Sequence, residues 1–242
     1  MRGIERIFAI LTTLGSEPGM ALSEVADRIE LPRPTVLRFL RALQNDGWVM
    51  RDSDGRYRLG PAIMALSSQY ASTDALLNRI TPLMHDLRDD VGETISLCRS
   101  SGRRRLCIRE FVSTSDLRLV LGLGTYGPLH AGASGLVLLA HLPQDERDAI
   151  IEGEREIFTP STIADPDQLR AECELIRERG WSITVGQRTS GGIAAAVAVA
   201  DPGAPHGVSA LGVYGPEIRA SQGDAEVWVE KMLACARLAE TG

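Results

Sequence analysis

The chain has 242 residues, 44% of them hydrophobic and 24% charged, with 26 basic and 32 acidic side chains and a formal net charge of −6. That ordinary globular composition excludes a disordered tail, a collagen-like fibre and a disulfide scaffold, and the length allows one large domain or two small ones. The longest uninterrupted apolar run, residues 193–200, is far short of a membrane span, and residues 1–6 mix acid and base with no extended apolar stretch behind them. Neither a transmembrane helix nor a signal peptide is expected, and the protein is read as soluble and cytoplasmic.

Residues 4–14 have helical periodicity, with Ile4, Ile7, Phe8 and Leu11 offering an apolar face and Gly15 and Pro18-Gly19 ending it. Residues 22–29 form a second amphipathic helix, with Leu22, Val25, Ala26 and Ile29 on one side. Glu30-Leu31-Pro32 makes a break. A third helix is expected over residues 32–45, where Pro32 and Pro34 fit the first turn because a missing N–H costs little there. At about 100° per residue, Val36, Leu37, Leu40 and Leu43 share an apolar arc. Pro34, Arg38, Arg41 and Asn45 lie opposite, with Thr35 at the edge. This stretch also carries Arg33 and contains no acid.

Residues 48–51 and 56–59 are short β-type runs around the turn sequence Asp52-Ser53-Asp54-Gly55. Alternation puts Arg56 and Arg58 on one face and Tyr57 and Leu59 on the other. Two short helices with a tight turn, a basic outer face on the second and a following hairpin make a winged helix-turn-helix. The charge distribution agrees: residues 1–60 are net +1 and the remainder −7, so positive charge is local to the expected DNA-binding part.

Beyond the wing, residues 62–70 are helical, residues 71–73 interrupt, and residues 74–91 form a longer helix with Leu76, Leu77, Ile80, Leu83, Met84 and Leu87 at helical spacing. Ser72 or Thr73 is the expected cap and Gly92 the stop. The period then changes to two over residues 94–99 and 105–111, with a hairpin turn at Ser101-Gly102-Arg103, and in part over residues 117–121. Residues 133–141 and 165–179 read as helices, 181–185, 192–200 and 208–213 as strands, and 217–240 as a closing helix, in all an α+β sheet domain.

Signals for chemistry are weak. Gly132-Ala133-Ser134-Gly135-Leu136 begins like a hydrolase nucleophile elbow, but Leu136 replaces the closing glycine and no acid and His follow in a suitable order. His130 is read as a structural hydrogen-bond donor near a turn. Gly122-Leu123-Gly124 and Gly191-Gly192 lack the Gly-Lys-Ser/Thr sequel of a phosphate loop and are read as turns. The four cysteines and four histidines are scattered without zinc spacing, so reduced thiols, no metal and no cofactor are expected.

Leu22-Ser23-Glu24-Val25-Ala26, the run from Leu31 through Leu40, and Asp54-Gly55-Arg56-Tyr57-Arg58-Leu59-Gly60 resemble the winged helix-turn-helix of the IclR family of bacterial transcription regulators. Ala21 stands where that family usually has a Ser or Thr cap, and Glu30 where the turn usually has Gly. Gly127-Pro128-Leu129-His130-Ala131-Gly132-Ala133-Ser134-Gly135, Arg179-Gly180-Trp181-Ser182-Ile183, the stretch 191–201 and Tyr214-Gly215-Pro216-Glu217-Ile218-Arg219 resemble the blocks of its effector domain.

The resemblance implies a winged helix-turn-helix over residues 1–60, a linker helix over 61–78, and a GAF-like effector domain with a curved antiparallel sheet over 79–242. It implies a homodimer, able to pair into a tetramer, that places two recognition helices on double-stranded operator DNA. Arg33, Pro34, Thr35, Arg38, Arg41, Arg56 and Arg58 are the expected DNA contacts. Leu121, Leu123, Tyr126, Leu129, Gly132, Ala133, Thr184, Ala194, Gly212 and Tyr214 are the expected effector-pocket positions. In members that bind small keto acids the last four are typically an acid, a Cys and two Ser. The smaller Ala194 and Gly212, with the aromatic Tyr214 and Tyr126, point to a roomier, more apolar pocket with few polar anchors. The expected ligand is therefore a small aromatic carboxylic acid or derivative rather than glyoxylate or pyruvate. The function expected is ligand-responsive regulation, as a repressor of a catabolic operon. The alternative is a small-molecule hydrolase or transferase with a winged helix used for assembly, which would more often show an apolar patch than an arginine-rich outer face.

Overall fold

The computed structural model describes residues 3–17 and 19–241; the readings made at Met1, Arg2 and Pro18 lie outside the described residues. The chain divides into two units between Thr73 and Asp74.

The first unit holds helices α1 (Gly3–Ser16), α2 (Leu22–Arg28) and α3 (Arg33–Asn45), the hairpin β1 (Val49–Arg51) and β2 (Tyr57–Leu59), and helix α4 (Ala62–Thr73). Ile10, Val25, Val36, Leu40, Val49 and Tyr57 meet in its core. Helix α1 uses a different arc from the expected one. Ile10 and Leu14 are buried, Ile7 and Leu11 flank them, and Ile4 and Phe8 are 70% and 64% exposed. Apolar side chains surround much of this helix, so periodicity admits two overlapping faces and only packing decides. The helix also runs through Gly15, the expected stop, to Ser16.

Helix α2 starts at Ala21 without a side-chain cap, but the Glu24 carboxylate accepts from the Ala21 N–H at 2.6 Å, half of a capping box. Glu30 turns the chain toward α3 at φ 54°, in the left-handed region. Pro32 then caps α3 and Pro34 lies in its first turn. The wing pairs Val49 with Leu59 and Arg51 with Tyr57, which buries Tyr57 and leaves Arg58 outside. Helix α4 buries no residue; Met64, Leu66 and Tyr70 are all exposed.

The second unit begins with α5 (Ala75–Val91). Its cap is Asp74, whose carboxylate accepts from the Leu77 N–H at 2.9 Å, rather than Ser72 or Thr73. There follow β3 (Thr94–Ser101), β4 (Arg104–Phe111), β5 (Tyr126–Pro128), α6 (Ala133–Ala140), α7 (Gln144–Ile151), α8 (Pro166–Arg179), β6 (Trp181–Val185), β7 (Gly192–Ala200), β8 (Val208–Pro216) and α9 (Gln222–Thr241). The strands make one antiparallel sheet in the order β5-β4-β3-β8-β7-β6.

The two-residue period of the strands sorts side chains between two helical layers. Ile95, Leu97, Leu211 and Val213 pack toward α5 and α9. Cys98, Cys107, Ala196 and Ala210 pack toward α6 and α8. Helix α6 is buried along its whole length, apolar but for Ser134, whose hydroxyl is bonded to Tyr214. Three local expectations change. Residues 117–121 form no strand, β5 and α7 were not foreseen, and β8 continues to Pro216 so that α9 starts at Gln222 rather than at 217. With three residues β5 is too short to carry a period, and it exists because Leu106, Arg105 and Arg104 of β4 pair with it. Among the described residues, no helix is long and apolar enough to cross a membrane.

Candidate DNA-reading face and effector pocket

Helix α3 turns Val36, Leu40 and Leu43 inward, which leaves Arg33, Pro34, Arg38 and Arg41 exposed and Thr35 half-buried. The Arg38 guanidinium lies 5.6 Å from the Phe39 ring centroid. Among the described residues no carboxylate forms an ion pair with Arg33, Arg38, Arg41 or Arg58. An arginine row without internal counter-ions is what a phosphate- or base-reading face needs.

Arg56 departs from that pattern. Its Nε donates to the Gly19 carbonyl at 2.9 Å and its Nη2 to the Glu24 carboxylate at 2.7 Å. Glu24 thus holds both the start of α2 and the wing. Its pKa is drawn below the ordinary carboxylate value, first by the Ala21 backbone N–H and then by Arg56. Arg56, expected beside Arg58 on the DNA face, ties the wing to α2 in the DNA-free chain while remaining 44% exposed.

The second unit contains a cavity of ≈ 260 Å³ walled by β4, β5, β7, β8, the start of α6 and the loops around 119–125 and 187–189. Of the expected pocket residues, Leu121, Tyr126, Gly132, Thr184, Ala194 and Tyr214 line it. Leu129 and Ala133 are buried in the core around α6, and Leu123 is 62% exposed. Gly212 lies beneath Tyr214, and a Cβ there would meet the Tyr214 hydroxyl and Ser134 Oγ. The space expected at Gly212 is therefore filled. Tyr214, two residues along the same strand face, folds back over it and bonds through its hydroxyl to Ser134 and to Ser96, the latter at 3.2 Å.

The wall is also more polar than expected. Arg105, Ser134, Gln187, Arg188 and Thr189 line the cavity, and none was anticipated from the sequence. The Arg188 guanidinium sits 3.9 Å from the Phe158 ring centroid. Arg105 Nη1 reaches Cys98 Sγ at 3.2 Å. Helix α6 opens at the cavity. Gly132 takes φ 82° and Gly135 lets the Pro128 carbonyl approach where a Cβ would clash. The first bond of α6 runs from Leu136 N to Gly132 O, so the N–H groups of Ala133, Ser134 and Gly135 precede any intrahelical partner, at the positive end of the helix dipole. Two arginines and a helix start suit an anion; Tyr126, Leu121 and Ala194 suit an apolar body.

Hydrolytic chemistry has no support at Ser134. Its hydroxyl bonds to Tyr214, while His130 Nε2 lies 3.0 Å from the Glu156 carbonyl oxygen and His141 Nδ1 2.8 Å from that of Val137. Burial, acting first, keeps the His130 pKa below its ordinary value. As a neutral ring donating to a carbonyl, His130 is structural.

Residues 68–240 match the family model described as bacterial transcriptional regulator IclR C-terminal, and residues 3–53 match the IclR helix-turn-helix domain. The chain is 32% identical over 217 residues to the glycerol operon regulatory protein of Streptomyces coelicolor, covering 89% of this chain and 85% of that protein. It is 30% identical over 225 residues to the HTH-type transcriptional repressor AllR of Salmonella typhimurium, covering 91% and 82%. The crystal structure of an IclR homolog from Microbacterium hydrocarbonoxydans, complexed with 4-hydroxybenzoate, matches with a TM-score of 0.80 at 20% identity, over 98% of this chain and 100% of that one. These relatives are regulators, and the alternative of a hydrolase or transferase with an assembly domain is set aside.

Proposed function

Because the chain belongs to the IclR family of bacterial transcriptional regulators, we propose that it is a repressor of a catabolic operon in the cytoplasm, released by a small aromatic carboxylic acid or a derivative of one. The reading is carried by the cavity that combines Arg105, Arg188 and the start of α6 with Leu121, Tyr126 and Ala194. The cations and N–H groups would hold a carboxylate, and the ring would lie on the apolar wall. A volume of ≈ 260 Å³ leaves room for a single aromatic ring with its carboxylate. Glyoxylate or pyruvate would reach the cations but leave the apolar wall at Leu121, Tyr126 and Ala194 uncovered.

On DNA, Arg33, Pro34, Thr35, Arg38, Arg41 and Arg58 would meet an operator half-site, and a homodimer would present two such faces to successive major grooves. The exposed Met64, Leu66 and Tyr70 of α4, within a linker taken as residues 61–78, support assembly with a second copy. Pairing of dimers into a tetramer is consistent with the same surface. A ligand acts on DNA affinity only through unequal affinity for the two arrangements of the dimer.

Calorimetric titration of the full chain with 4-hydroxybenzoate, benzoate, pyruvate and glyoxylate tests the ligand class. Binding of the aromatic acids, lost in Arg188→Gln, is expected. Binding of pyruvate without binding of either aromatic acid would overturn it.

A further inference from the structure

Cys98 on β3 and Cys107 on β4 are register partners beside the bulge at Leu97/Cys98. The Cys107 N–H donates to the Thr125 carbonyl at 3.0 Å, and the Cys107 carbonyl accepts from Gly124 N at 2.8 Å. Both bonds lie on the side of β4 that faces β5, away from β3. The two cysteines therefore form a non-hydrogen-bonded cross-strand pair, the kind whose opposed Cα atoms approach to about 4.5 Å. That is within the ~4.4–6.8 Å that a disulfide spans. Both side chains belong to the same buried cluster under α6. The other two thiols, Cys173 on α8 and Cys235 on α9, fall in different helices and different clusters from each other.

The surroundings of Cys98 are unlike those of an inert core thiol. Arg105 Nη1 is 3.2 Å from its sulfur and Ser96 Oγ 3.5 Å. Arg105 and Tyr214, the partner of Ser96, also line the cavity. One layer of side chain separates the sulfur from a space that water-sized molecules can enter.

We propose that Cys98 and Cys107 form a buried dithiol, one side-chain layer beneath the cavity, that a small hydroperoxide oxidises to a disulfide. The Cys98 thiolate attacks one peroxide oxygen; the O–O bond breaks, and the other oxygen takes a proton and leaves as water or an alcohol. Cys98 is then a sulfenic acid. The Cys107 sulfur attacks the Cys98 sulfur, the S–O bond breaks, and the hydroxide leaves as water with the Cys107 proton. Two thiols and one hydroperoxide become one disulfide, one alcohol or water from the peroxide, and one further water.

The electrostatics divide the two roles. Burial raises the Cys98 pKa, but the Cys107 hydrogen bond and then the Arg105 charge outweigh it and bring it down. Cys107 is pushed up, first by its bond to Cys98 and then by burial. The first is thus the attacking thiolate and the second the resolving thiol. Burial pushes Cys173 up to about 12 and Cys235 up to about 11, so both stay thiols. Oxidation also takes the Cys98 sulfur out of its thiol contact with Arg105, which leaves that cation free to act on a carboxylate in the cavity. This last consequence rests on the ligand reading above; the oxidation itself does not.

The test treats the reduced full-length protein with hydrogen peroxide, alkylates the remaining thiols and analyses tryptic peptides without reduction. A cross-link between peptides 89–99 and 106–109 is expected, with Cys173 and Cys235 alkylated. In Cys107→Ser, dimedone should trap Cys98 as the sulfenic acid. All four thiols remaining alkylatable, oxidation of Cys173 or Cys235 ahead of the pair, or Cys98 passing to sulfinic acid beside a free Cys107 would overturn the dithiol. The oxidised protein should then bind 4-hydroxybenzoate several-fold more tightly than the reduced one. A disulfide with unchanged affinity overturns the link to the cavity. A disulfide in a protein that binds no aromatic acid in either state overturns the ligand class and leaves the dithiol standing.

Discussion

Glu30 holds the turn of the helix-turn-helix at φ 54°, a region in which an L-residue costs about 1–2 kcal/mol relative to glycine. Glycine loses more chain entropy on folding, so Glu30→Gly should stabilise the first unit by up to about 1 kcal/mol, read as a higher urea midpoint at unchanged slope. The departure from the usual glycine was visible in the sequence; the positive φ was not. His130 gives a second test at this scale. Its folded pKa lies below the unfolded value, through burial first, so below about pH 6.5 the unfolded chain binds the extra proton. Stability of the second unit is full above that value and falls as the pH drops beneath it. Melting curves at about pH 7.5 and pH 5.5 should show a larger loss in the wild type than in His130→Gln; an equal loss would contradict the assignment.

Elements were legible wherever one local period dominated. Helix α3 declared itself by an apolar arc, prolines at its start and arginines with no acid opposite, and α5 by leucines at helical spacing. What failed needed partners from elsewhere. The inward arc of α1 depends on where α2 and α3 touch it, and β5 depends on β4. In the pocket, Arg103, Arg104 and Arg105 are indistinguishable in sequence; strand pairing decides that Arg105 faces the cavity. Composition alone makes Gly212 look like open space, but Tyr214, its neighbour on the same strand face, fills the gap. In the wing, alternation puts Arg56 with Arg58, but the ion pair of Arg56 with Glu24 was not legible in that period. Arg58→Gln should therefore lower the salt slope of DNA binding by about one unit. Arg56→Gln should leave the slope unchanged and cost under about 1 kcal/mol of stability, as an exposed ion pair does. Arg41→Ala should weaken operator binding by about 1–3 kcal/mol if it reads a guanine, as measured by anisotropy on the cognate and a scrambled duplex.

At the scale of the whole molecule, a winged unit of modest size gains useful affinity by presenting two copies to one operator. In the proposed dimer helix α4 would supply the surface: its exposed Met64, Leu66 and Tyr70, together with Ile4 and Phe8 of α1, are more apolar than solvent favours. Met64→Glu combined with Leu66→Glu should shift the chain toward monomer in light scattering at micromolar concentration and weaken operator binding at least tenfold. A variant that stays dimeric would place the interface elsewhere.

Coupling between cavity and DNA is tested most directly by anisotropy of a labelled duplex from the gene's own upstream region, bound by the full chain and titrated with 4-hydroxybenzoate. The wild type should bind at low salt and be released in a saturable way by the aromatic acid but not by pyruvate, while Arg188→Gln binds the duplex equally well and is not released. A wild type that never binds the duplex, or stays bound at every concentration of aromatic acid while pyruvate releases it, would contradict this assignment.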